Sequence, residues 1–252
     1  MPSPGAEPVH DIDTLVIGAG QAGLATSCWL SWHGVDHQLL ERRPELGGAW
    51  QDRWDSFYLN TPNFAFLLPE LSYDGPEPDA FLPRDEVIGL FRDYAARIKA
   101  PVRLGTEVTR VGVVDGGFTV QTNQGRWHAR NVVLANGAFQ RPGIPASAAT
   151  LPRHIRQLHS HDYRDAQQLP AGAVLVVGTG QSGGQITEDL LDAGREVPIC
   201  PSPPAPRLRG GTAARTISTG SCSSTSTAPN SASTASRRTS CPPRPRASCA
   251  TR

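Results

Sequence analysis

The chain has 252 residues, enough for one large or two modest domains, and its formal net charge of +1 hides an uneven distribution. Residues 1–196 carry 23 acidic and 16 basic side chains, whereas residues 197–252 carry eight arginines and neither Asp nor Glu. Four of the five cysteines fall after residue 199, no apolar run is long enough to span a bilayer, and residues 1–11 lack the basic and apolar regions of a signal peptide. A disulfide framework and a membrane span are therefore excluded for the earlier part, and a cytoplasmic location is expected.

The first predicted element is a strand, Thr14-Leu15-Val16-Ile17, apolar and β-branched as suits burial on both faces of a parallel sheet. Gly18-Ala19-Gly20-Gln21-Ala22-Gly23 follows at once and reads G-x-G-x-x-G. A helix then runs to Trp32 and stops at Gly34, and a second strand, His37-Gln38-Leu39-Leu40, ends in Glu41. In this arrangement Gly18 allows a tight turn, Gly20 lets the backbone approach a pyrophosphate, and Gly23 lets helix and strand pack closely. The helix N-terminus offers free N–H groups to phosphate, and Glu41 stands where a carboxylate accepts from a ribose hydroxyl. These residues point to a dinucleotide site.

Next come Gly47-Gly48-Ala49-Trp50, in which paired glycines let the backbone pass close to a bulky ligand with the indole as a wall. The ring-rich stretch 54–62 is too irregular for a helix. Pro83, Asp85 and Glu86 then open a helix whose apolar positions, Val87, Ile88, Phe91, Tyr94, Ala95 and Ile98, share one face. From Val102 to Ala135 the pattern alternates, with turns at Gly116-Gly117 and Gln124-Gly125, and predicts a small antiparallel meander. His154, His159 and His161 crowd together without the partners a zinc site requires, so no metal is expected.

A second strand and glycine motif follow in Ala173-Val174-Leu175-Val176-Val177-Gly178-Thr179-Gly180-Gln181-Ser182-Gly183, with a helix ending before Gly194. Two dinucleotide sites in one chain suggest that electrons pass from one bound cofactor to the other. The fold class expected is α/β, with two Rossmann-like domains and the small meander.

Together these residues resemble the flavin-containing monooxygenase group, including YUCCA-like enzymes and bacterial flavoproteins labelled as involved in potassium transport, over residues 11–196. The resemblance implies FAD at Gly18, Gly20, Gln21, Ala22, Gly23 and Glu41, with Gly48 and Trp50 of a Gly-Gly-x-Trp segment beside it. It implies NADPH at Gly178, Gly180, Gln181, Ser182 and Gly183. Leu59-Asn60-Thr61-Pro62 matches an Asn-x-Pro segment, which implies Asn60 near both flavin and NADP and makes it the candidate catalytic side chain. Leu134-Ala135-Asn136-Gly137 resembles an Ala-Thr-Gly crossover with Asn in place of Thr. His159 and Tyr163 match the second half of the fingerprint F-x-G-x-x-x-H-x-x-x-F/Y, while Arg153 and Ile155 occupy its Phe and Gly positions.

The implied activity is oxidation in which NADPH reduces the flavin. The reduced flavin takes up molecular oxygen as a C4a-hydroperoxide and oxygenates a small soft nucleophile or carbonyl substrate. A thioredoxin-reductase-like enzyme is a weaker alternative, since Cys28 is the sole cysteine before residue 199 and no Cys-x-x-Cys is present. A non-enzymatic alternative is an inactive nucleotide-binding fragment.

The division expected is an incomplete FAD-binding domain at 11–150, the start of an NAD(P)-binding domain at 151–197, and a tail at 198–252. The tail is a Ser/Thr/Arg/Pro mixture without aromatic or acidic residues, so it is expected to be disordered, and an out-of-frame coding sequence is the preferred origin over a nucleic-acid- or lipid-binding arm. Pro198 is expected to interrupt the next strand, leaving the second unit with one strand, one helix and poor turnover.

Overall fold

Residues 8–201 are described by the structure, a computed structural model. In chain order the elements are β1 (Val9–Ile17), α1 (Gln21–Trp32), β2 (His37–Leu40), β3 (Leu67–Leu68), β4 (Leu71–Ser72), α2 (Arg84–Arg97), β5 (Val102–Arg103), β6 (Val108–Val114), β7 (Gly117–Thr122), β8 (Gly125–Leu134), β9 (Val176–Val177), α3 (Gln181–Asp192) and β10 (Ile199–Cys200). The main sheet has six strands in the order β5-β2-β1-β8-β7-β6. Its β5, β2, β1 and β8 run parallel, and β6, β7 and β8 run antiparallel. The mixed α/β class is the one expected.

Two expectations about this sheet need correction. Strand β1 begins at Val9, five residues before the apolar run, because β8 is long enough to pair with the polar stretch as well. There, cross-strand side-chain pairs replace burial: His10 stacks on Trp127 with ring centroids 4.4 Å apart, and Asp11 meets His128 at 3.5 Å. The antiparallel meander is present as β6-β7-β8, but it begins at Val108 and not at Val102. Val102–Arg103 lies at the far edge beside β2, and β8 serves as the last meander strand and as the parallel neighbour of β1. Alternation within one strand cannot reveal which partner lies on its other edge.

The strand period splits the core between the two faces of the sheet. Val16 and Leu39 face α1 and α2, joining Leu24, Val87, Phe91, Tyr94 and Trp54 in the larger cluster. Leu15 and Leu40 face the other way, against Val120, Trp127 and Ala129. A buried polar pair ties α1 to β2. His37 Nδ1 lies 2.9 Å from the Val35 carbonyl, so it carries the proton, and Nε2 accepts from Ser27 Oγ at 2.8 Å. Helix α2 starts after Pro83 with Asp85 and Glu86 in its first turn, and the apolar face read from the sequence is the one that is buried.

The expectation of a lone strand in the second unit is overturned. Ile199–Cys200 forms a parallel ladder with Val176–Val177, and the carbonyls of Glu196, Pro198 and Cys200 accept from Val174, Val176 and Gly178 at 2.9, 3.0 and 2.8 Å. Proline lacks only the N–H, so Pro198 still accepts; the ladder is short because its missing donor would face the Val174 carbonyl. Nor does α3 lack a partner. Its inner face, Ile186 and Leu190, belongs to the same cluster as Trp54, Phe91 and Tyr163. Among the described residues the two glycine-motif units share one continuous core, and strand β10 runs past the expected boundary at residue 197. The proposed tail beyond residue 201 lies outside the described residues.

Candidate functional site

The first glycine loop is built by contacts only glycine tolerates. Gly18 has φ +104°, and a Cβ there would lie 2.6 Å from the Ala135 carbonyl oxygen, where the crossover after β8 passes the loop. A Cβ on Gly23 would lie 1.9 Å from the Gly18 carbonyl oxygen, so α1 packs directly on the turn. Around Gly20 the situation is opposite: nothing lies within 4 Å of the Cβ position. Gly20 caps α1, whose first N–H groups have no intrahelical acceptor, and Gln21 and Ala22 are exposed beside it. Two glycines are thus closed by the fold, and the one that opens on solvent stands at the positive end of the helix.

Glu41 sits beneath this loop. Its Oε2 accepts the Ala19 N–H and its Oε1 accepts the Arg43 N–H, each at 3.0 Å, and the residue is buried. The carboxylate therefore shapes the loop in addition to the ribose role expected of it, and its remaining lone pairs are left for a hydroxyl. On the other side, Gly47 and Gly48 take φ +132° and +52°, and a Cβ on Gly48 would stand 3.3 Å from Gly20 Cα. The Gly48–Asp52 turn is thereby pressed against the glycine loop. It is held by the Arg43–Asp52 ion pair and by Arg164, whose Nη1 donates to the Asp52 carbonyl at 3.0 Å. Trp50 is half-buried, with its ring over Phe91 and tilted against Phe57.

The second loop repeats the first. Gly178 has φ +110°, a Cβ on Gly183 would lie 2.1 Å from the Gly178 carbonyl oxygen, and Gly180 has nothing within 4 Å of its Cβ position. Gln181 and Ser182 open α3 as Gln21 and Ala22 open α1. The hydrogen bonds give the register: Gly18 donates to the Leu40 carbonyl and Gly178 to the Cys200 carbonyl, both at 2.8 Å. Pro201 consequently occupies the position that Glu41 holds in the first unit, and the second loop has no acidic residue there.

The loop carrying Asn60 connects the two units. Gln185 on α3 donates from Nε2 to Asn60 Oδ1 at 2.8 Å and to the Tyr58 carbonyl at 3.0 Å. The Tyr163 hydroxyl donates to Asp189, also on α3. Burial and the nearby Asp189 carboxylate push the Tyr163 phenol well above its ordinary range. Sequence reasoning did not find Gln185, since a polar residue one turn into a helix carries no periodic signal. It did not find Arg53 either. That guanidinium lies over the rings of Phe57 and Phe139, 5.5 and 5.2 Å from their centroids, with Nε buried and without an acceptor. Desolvation lowers its pKa, although Asp52 works against this. The described residues contain no group of three or more metal-ligating side chains, and no helix among them is long and apolar enough to cross a membrane.

Comparison with known proteins agrees with this architecture. An uncharacterized CzcO-like oxidoreductase of Geobacillus kaustophilus is 39% identical over 183 residues, covering 73% of this chain and 52% of the relative. The indole-3-pyruvate monooxygenase YUCCA1 of Oryza sativa subsp. japonica is 29% identical, covering 71% of this chain and 45% of that protein. The chain therefore spans about half the length of the curated relatives it matches. Among solved structures, a flavin-containing monooxygenase from Stenotrophomonas maltophilia superposes with a TM-score of 0.69 at 27% identity, covering 77% of this chain and 58% of that one. Residues 15–204 match the pyridine nucleotide-disulphide oxidoreductase family. With its two glycine loops and these relatives, the chain belongs to that family and is similar to flavin-containing monooxygenases.

Proposed function

We propose that the chain binds FAD at the Gly18–Gly23 loop and NADP(H) at the Gly178–Gly183 loop, and supports a monooxygenase-type oxidation. NAD(P)H is the reductant, and molecular oxygen and a small soft nucleophile or carbonyl compound are the co-substrates. The observation that carries this reading is the repetition of one loop geometry, in which the first motif glycine takes a positive φ, the third is closed against it, and the middle ones, Gly20 and Gly180, are open at the two helix N-termini. A pyrophosphate fits such a cradle, which offers free N–H groups and a favourable dipole.

Bound flavin would supply hydride acceptance and reaction with oxygen; the protein supplies binding, orientation and exclusion of water. In this reading the N–H groups around Gly20, Gln21, Ala22 and Gly23 hold the FAD pyrophosphate. Glu41 takes a ribose hydroxyl, Gly48 and Trp50 flank the ligand, and Asn60 offers a carboxamide to the reacting end. Gly180, Gln181, Ser182 and Gly183 do the same for the second dinucleotide. Pro201 at the Glu41-equivalent position supports NADP(H), because a carboxylate there would favour a ribose 2′-hydroxyl over a 2′-phosphate.

The test is a titration of FAD into the purified full chain, followed by NADPH or NADH without oxygen. FAD should co-elute with the protein, and NADPH should bleach its visible absorbance faster than NADH does. Recovery of nicotinamide nucleotides alone from the first site would overturn the assignment.

A further inference from the structure

Gln185 stands on α3 two residues beyond Gly183 and reaches back to the loop that carries Asn60. Its Nε2 lies 3.0 Å from the Tyr58 carbonyl oxygen and 2.8 Å from Asn60 Oδ1. A backbone carbonyl only accepts, so the end of Gln185 facing Tyr58 must be the NH2 group. The same NH2 group meets Asn60, and the Asn60 atom facing it must therefore be an acceptor. Which way an amide points is normally ambiguous from geometry alone, but here a main-chain carbonyl resolves both side chains in turn.

The Tyr58 carbonyl is itself held in place. Tyr58 bridges Pro83 at the start of α2, and Leu59 donates to the Leu82 carbonyl at 2.9 Å. Gln185 Oε1 is buried without a donor. Turning the amide over brings no relief, because Oε1 would then face another carbonyl oxygen while the NH2 group lost its acceptors. The orientation of Gln185 is thus fixed by the fold, at the cost of one unsatisfied oxygen.

We propose that Gln185 is a positioning residue that holds the Asn60 carboxamide with Oδ1 toward α3 and its NH2 edge turned away, as a donor for an acceptor on the bound ligand. The inference rests on reading Asn60 as part of the oxidoreductase site. It deepens that reading by assigning Asn60 a polarity and by naming the residue that sets it. Because Gln185 rides on the helix whose first turn forms the second glycine loop, a dinucleotide bound there is linked to Asn60 through one side chain, and such linkage is reciprocal.

The test uses the full chain with isotope-labelled asparagine, the Asn60 side-chain resonance being identified by its loss in Asn60→Asp. In the unliganded protein the Asn60 NH2 protons should exchange with water like those of a free carboxamide. Gln185→Glu keeps the shape but offers only acceptors, so Asn60 should turn over and its NH2 exchange should slow by about tenfold. Addition of NADP+ should shift the Asn60 resonance in the parent chain, and Gln185→Leu should change the size of that shift, since the carboxamide is no longer held; an identical shift in folded Gln185→Leu counts against the link. Thermal melting of each variant identifies any that fails to fold, and the measurement on the parent chain stands without them. An Asn60 NH2 already protected in the parent chain, or unchanged in folded Gln185→Glu, overturns the proposal. If FAD fails to bind while the exchange pattern holds, the flavin reading fails and the positioning role of Gln185 stands.

Discussion

The Glu41 carboxylate and the Ala19 amide, 22 residues apart in sequence, meet at 3.0 Å in a buried site. The end of β2 and the loop after β1 are thereby locked together before any ligand arrives. A carboxylate expected only to recognise a ribose also sets the shape of the loop beside it, with Oε1 held by the Arg43 N–H.

Glu41→Gln should therefore cost more than ligand affinity. The carboxamide can accept only one of the two N–H groups, and its own NH2 would face a second donor. Loss of a charge-assisted hydrogen bond costs ~1–3 kcal/mol. Denaturant unfolding without ligand should show a loss of that order, and an FAD titration should show weaker binding. Unchanged unliganded stability would mean that the carboxylate does not shape the loop.

The three glycines of each motif should separate by what surrounds them. Gly23→Ala places a Cβ 1.9 Å from a backbone oxygen and should prevent proper packing of α1. Gly20→Ala meets nothing within 4 Å, at φ −79°, where any residue is comfortable. Its effect on unliganded stability should stay within about 1 kcal/mol, while the new methyl group occupies the space where a pyrophosphate would approach. Comparing melting with FAD binding in the two variants checks this. A Gly20→Ala protein that binds FAD normally would remove the loop from the cofactor site.

How much could be read from the sequence follows from the range of each interaction. The βαβ unit from Thr14 to Glu41 was legible because strand, turn, helix and carboxylate all fall within thirty residues, with local chemistry at every step. The buried face of α2 was legible because its period of 3.6 needs no knowledge of the partner. The polar half of β1 was hidden, since its reason is the length of β8 more than a hundred residues later. Pro198 removes a donor but keeps its carbonyl, which accepts from Val176, so a proline in this stretch does not by itself mark the end of the sheet. Gln185 and Arg164 join segments more than a hundred residues apart, at 2.8 Å from Asn60 and 3.0 Å from Asp52, and side-chain bridges of that span leave no local pattern.

The shared core predicts how the two units melt. Leu190 on α3 is fully buried in the cluster that holds Trp54 and Phe91. Leu190→Ala should cost ~2–5 kcal/mol, the range for truncating a buried leucine. Because the cluster is continuous, the loss should lower a single transition, reported alike by tryptophan fluorescence and by far-ultraviolet circular dichroism. A separate early transition, with tryptophan fluorescence unchanged, would mean that the second unit folds on its own.

Tyr163 makes the union of the two units sensitive to alkali. Its phenol is buried and donates to Asp189, and both burial and the neighbouring carboxylate raise its pKa in the folded protein. In the unfolded chain a tyrosine ionises near pH ~10. A group whose folded pKa lies above its unfolded value contributes fully below the unfolded pKa. That contribution declines as pH rises from there toward the folded pKa. Stability should accordingly be insensitive to Tyr163 between neutral pH and about pH 9 and should fall above about pH 10. Tyr94 is raised in the same direction, chiefly by burial, and adds to the slope. Tyr163→Phe removes one of the two contributions. It should cost ~1 kcal/mol at neutral pH, where the hydrogen bond to Asp189 is lost, and less as the pH rises and the parent chain loses its own advantage. Denaturant midpoints for both proteins between pH 7 and 11 decide the matter: curves that converge with rising pH are expected, and parallel curves would show that the Tyr163 hydroxyl is not held against Asp189.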